Sequence, residues 1–105
     1  MTEFTLERAG LSVGRGLLGT VTPRLRVVQV VVSPGGFAIE CYYDGIASDE
    51  ERELMSAMEG EVLADFFDEV GVELRIMRLD APTPVPTYEV GVGWRVFARY
   101  EGFEE

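Results

Sequence analysis

Apolar residues recur at Leu6, Ala9, Val13 and Leu17, spacings of three and four that predict a first helix over residues 2 to 18. Gly10, Gly14 and Gly16 each weaken that helix by about 1 kcal/mol relative to alanine, so it depends on tertiary packing, and Gly19 is placed to end it. The pattern then changes period. Residues 24–33 (RLRVVQVVVS) and 36–43 (GFAIECYY) are β-branched and aromatic runs joined by Ser33-Pro34-Gly35-Gly36, which predicts a hairpin. In its second strand Phe37, Ile39, Cys41 and Tyr43 alternate with Ala38, Glu40, Tyr42 and Asp44, which implies one buried side for helices to cover and one more polar side.

Ser48-Asp49-Glu50-Glu51 is a capping box, in which the Ser48 hydroxyl accepts an early backbone N–H and the Glu51 carboxylate reaches back. The helix it starts carries an apolar stripe of Leu54, Met55, Met58, Val62 and Phe66. Asp49, Glu50, Glu53, Glu61 and Asp68 fall on or beside the opposite face, with the small residues Ala57, Gly60 and Ala64 among them. A third strand is predicted at 72–79 and a fourth at 88–100, separated by the stiff proline-rich segment 80–87. The order α-β-β-α-β-β predicts one α+β domain spanning 1–105, an antiparallel-rich four-stranded sheet with helices on one face.

Charge adds a second layer. Residues 40–69 carry eleven carboxylates and one arginine, Arg52, whereas the remaining eight acids balance eight arginines, so that stretch accounts for the whole net charge of −10. Such a surface repels nucleic acid and anionic membrane and steers a basic partner toward itself. A hydrophobic content of 47% separates the chain from disordered acidic tails. With no apolar run near the ~18 residues of a membrane span and no basic leader, a cytoplasmic protein is expected.

The chain has neither histidine nor lysine. Histidine-based triads, Schiff-base chemistry and the P-loop amine are therefore excluded, and the calcium-loop spacing is missing. Neither catalytic residues nor metal ligands nor a cofactor are assigned. Cys41 alternates with core positions and reads as a small buried residue. Asp65 is the misplaced acid, lying between Leu54 and Met58 on the apolar side of its helix. A carboxylate there needs a partner, and Arg24, Arg26 and Arg78 of the sheet are the expected ones.

The succession LLGTVTPRLRVV (17–28), CYYDGIASDEERE (41–53), EVLADFF (61–67) and RLDAPTP (78–84) resembles small acidic immunity-type proteins of bacterial toxin systems, including contact-dependent growth inhibition. That resemblance implies a non-enzymatic inhibitor of a cognate toxin. A nuclease toxin presents cations to phosphates, so an acidic helix can occlude its site; Asp44, Asp49, Glu50, Glu53, Glu61 and Asp68 are the expected partner-facing residues, with Asp65 orienting the helix. Two other readings stay open. One is a carboxylate-dependent enzyme or ligand-binding domain with a pocket around Asp65, and the other is a self-associating domain.

Overall fold

The computed structural model describes residues 5–66 and 70–102; Asp68 lies outside them. Its elements are α1 (Leu6–Gly16), β1 (Leu25–Ser33), β2 (Gly36–Tyr43), α2 (Asp49–Phe66), β3 (Gly71–Arg78) and β4 (Gly93–Ala98). The α+β order matches the periodicity. The four strands form one sheet in the order β3-β2-β1-β4. β1 runs antiparallel to β2 and to β4, while β2 and β3 pair in parallel, with α2 as the crossover between them.

α1 is capped by Thr5, whose hydroxyl accepts the Arg8 N–H at 3.0 Å. Both helices lie on the side of the sheet lined by Val28, Val30, Phe37, Ile39, Cys41 and Tyr43. Ala9 and Val13 of α1 and Met55, Met58, Val62 and Phe66 of α2 are fully buried there. Phe37 and Phe66 meet edge to face at 5.2 Å between ring centroids. Burying each such ring contributes about 2–3 kcal/mol relative to leaving it exposed. The helices cross where α1 ends, because a Cβ at Gly16 would sit 2.9 Å from Met58 Cγ.

Two bulges keep the sheet in phase with this core. One at Arg26 restores Leu25 to the helix side, and one between Val28 and Gln29 in the β1–β4 pairing brings Phe97 to the same side as Val96. Gly36 is obligatory for the parallel pair, since a Cβ there would lie 1.9 Å from the Gly71 carbonyl oxygen.

Two expectations need correction. β2 is buried on both sides, because the segment between β3 and β4 straps the second face of the sheet. The fourth strand starts at Gly93 rather than residue 88. Val92 N–H and Gly93 N–H both donate to the Glu89 carbonyl around Gly91 at φ +90°, and this turn consumes the first half of the alternating run. On the outer face of α2, Ala57, Gly60 and Ala64 are exposed.

Candidate interaction surface

The capping box is formed as expected. Ser48 N–H donates to Glu51 Oε1 at 2.8 Å, and Glu51 N–H donates to Ser48 Oγ at 3.1 Å. Glu51 has a further role that spacing alone did not reveal. It accepts the Thr22 hydroxyl at 2.9 Å and an Arg24 guanidinium N–H, which fastens the start of α2 to the segment before β1. Burial pushes its carboxyl up, but the Ser48 N–H, the Thr22 hydroxyl and Arg24 outweigh burial and hold it below the usual range.

Asp65 is paired, though not with the sheet arginines. Its carboxylate accepts Ser12 Oγ and Arg15 Nη2, each at 2.6 Å, from the facing side of α1. The Ser12 hydrogen bond, then Arg15, lowers its pKa. Arg8 lies over the Phe66 ring at 4.5 Å and reaches the Asp65 carbonyl at 3.4 Å. A cavity of about 250 Å³ does lie here, lined by Arg8, Leu11, Ser12, Arg15, Asp65 and Phe66. Its carboxylate is already engaged. The cause is geometric: Asp65 sits at the edge of α2 that meets α1, away from the sheet ends where Arg24, Arg26 and Arg78 find Glu51, Glu101 and Asp80.

Asp44 is also drawn into the chain's own network. Its carboxylate accepts Arg99 Nη2 at 3.0 Å and the Ala81 N–H at 3.3 Å. Arg99 in turn bonds Glu101, which clasps the buried Arg26. Alongside, Asp80 takes Arg78 and the Gly45 N–H, and these depress its carboxyl to about 2.

Glu40 is the acid that the alternating pattern placed on a polar face and the fold buries. It accepts Tyr42 OH at 2.9 Å, Tyr88 OH at 3.0 Å, Gln29 Nε2 at 3.2 Å and Arg75 Nη1 at 3.2 Å. Burial, then the Glu40 carboxylate, pushes the Tyr42 hydroxyl above its ordinary value. This cluster anchors the strap: Gln29 also donates to the Pro86 carbonyl at 3.0 Å. Cys41 is buried beside Met55, and burial raises its thiol to about 12. It is a core residue.

After these pairings, the acids on α2 fall into two classes. Glu51 and Asp65 are bound to arginines of other elements. Asp49, Glu50, Glu53 and Glu61 are exposed and make no ion pair among the described residues. At 100° per residue Asp49 and Glu53 interleave with Ser56, Gly60 and Ala64, Glu50 and Glu61 lie beside Ala57, and Gly60 has open space where a Cβ would go. Glu59, half-buried at the side of the same helix, is likewise without an ion pair among the described residues. No described helix is long and apolar enough to cross a membrane.

The profile of the MafI2 immunity protein family matches residues 7–101, from α1 through the strand-end network at Glu101. No curated protein matches the chain.

Proposed function

The chain belongs to the MafI2 immunity protein family, and from that premise we propose that it binds and neutralises a cognate toxin through the outer face of α2. The observation that carries this reading is the sorting of the acids. Glu40, Asp44, Glu51 and Asp65 are neutralised by arginines of the same chain, whereas Asp49, Glu50, Glu53 and Glu61 have no such partner among the described residues. An unneutralised acidic face steers a cationic partner and is complementary to the phosphate-binding surface of a nuclease. The protein then acts without chemistry of its own, by occlusion, in the cytoplasm of the toxin-producing cell. Asp68, also expected to face the partner, lies outside the described residues, while Asp44 contributes mainly to the fold and Asp65 orients α2 against α1.

The test is association kinetics with the cognate toxin. Replacing Glu50, Glu53 and Glu61 together by lysine should slow association at least tenfold at low salt and flatten its salt dependence. An unchanged rate and salt slope would sink the acidic-face reading.

A further inference from the structure

β4 is an edge strand: its inner side bonds β1, and no described strand pairs with its outer side. β3, the opposite edge, carries the charged Glu73, Arg75 and Arg78, a usual defence against stray pairing. β4 carries a single charged residue, Arg95. Val92 and Trp94 are each 43% exposed and Val90 is fully exposed. A trough of about 520 Å³ runs between this edge and the start of α1, lined by Leu6, Val90, Gly91, Trp94 and, at its rim, Glu7 and Arg95. Two smaller hollows adjoin the same pair, Trp94 and Arg95, on either side of the sheet.

Arg95 supplies the charge that selects an occupant. Its described acceptors are neutral, Gln29 Oε1 at 3.4 Å and the Pro86 carbonyl at 3.2 Å, whereas Arg15, Arg24, Arg26, Arg75, Arg78 and Arg99 all hold carboxylates. A second copy of this chain is a poor occupant, because two copies bring together two net charges of −10 and two Arg95 guanidinium groups. A row of unpaired backbone groups is best satisfied by another extended backbone.

We propose that the outer edge of β4 is a second docking surface, which takes an extended segment of the toxin as an added strand, with an apolar side chain in the Trp94 trough and a carboxylate on Arg95. This inference rests on the toxin-binding reading above but not on α2 as the site. The two surfaces divide the work: unpaired acids on α2 govern encounter, and the β4 edge governs residence.

The test uses the full chain and the same toxin. Val90→Asp and Arg95→Glu should each raise the dissociation rate at least tenfold, Val90→Asp with no change in melting temperature, and Val21→Asp, elsewhere on the surface, should change neither. In the complex, amide hydrogen exchange across Gly93–Ala98 should slow. Unchanged dissociation in both variants with no added protection of β4 overturns the proposal, while a slowed association of the α2 variant in the same experiment leaves the α2 reading intact. A wild-type chain that does not bind the toxin overturns both. A concentration-dependent dimer that Val90→Asp abolishes makes a second copy the occupant and overturns the toxin-strand assignment.

Discussion

Arg26 and Glu101, 75 residues apart, form a two-point ion pair in which Nε donates to Oε2 at 2.7 Å and Nη2 donates to Oε1 at 3.0 Å. The Arg26 side chain is 3% exposed, so Glu101 neutralises a cation largely withdrawn from water. The same guanidinium donates to the Leu79 carbonyl at 2.7 Å, tying the ends of β1, β3 and the segment after β4. Glu101→Ala should therefore destabilise the fold by about 3 kcal/mol, because it strands a buried charge. Urea denaturation measures this, and the pair Arg26→Met with Glu101→Leu should recover most of the loss.

The division between structural and free acids makes a contrast within one turn of α2. Glu51→Ala removes the cap and unpairs Arg24 and Thr22, so it should cost about 2 kcal/mol. Glu50→Ala, one residue earlier, removes an exposed charge with no ion-pair partner among the described residues and should stay within about 0.5 kcal/mol. Chemical denaturation of the two variants side by side checks the sorting. Equal losses would contradict it.

Glycines at two helix positions should respond in opposite directions. Gly60→Ala adds a methyl to open space on the outer face of α2 and should stabilise by about 0.5–1 kcal/mol through helix propensity. Gly16→Ala drives its Cβ to 2.9 Å from Met58 Cγ and 3.2 Å from the Met58 carbonyl oxygen, so the helices must separate slightly. A net loss of about 1 kcal/mol is expected there. Thermal melts of the two single variants distinguish the sites.

Acid should unfold the protein through its arginine-bound carboxylates. Arg78 and the Gly45 N–H lower Asp80 to about 2 from an ordinary value of 3.8, and Glu101, Glu51 and Asp65 are lowered as well. A depressed folded-state pKa means that the unfolded chain binds protons first as pH falls. Stability should thus be fully present above the ordinary carboxylate range and decline from about pH 4 toward pH 2. Melting temperatures across that window test the sign, and Asp80→Asn should flatten the lower part of the decline.

Local patterns made much of the fold legible. The 3.6-residue stripe of Met55, Met58, Val62 and Phe66 and the Ser48–Glu51 box define α2 from neighbours within a few residues. The alternation overextends β4 for the converse reason: Tyr88, Val90 and Val92 alternate like a strand, but Gly91 turns the backbone before the ladder begins. The candidate surface was legible only in part. The spacing placed Asp49, Glu50, Glu53 and Glu61 on one face, and it showed that Asp65 needed a partner without identifying Arg15 and Ser12.

By itself the sequence determined the element order, the capped amphipathic helix and the confinement of net charge to residues 40–69, since periodicity, capping and composition act over short stretches of chain. Only the tertiary structure decided which acids remain free. The arginines that neutralise Glu51, Glu40, Asp65 and Asp44 come from 27, 35, 50 and 55 residues away, and the fold brings them together by pairing β3 in parallel with β2 and laying α1 along α2. Ion pairing depends on distance in space, which no spacing along the chain reports.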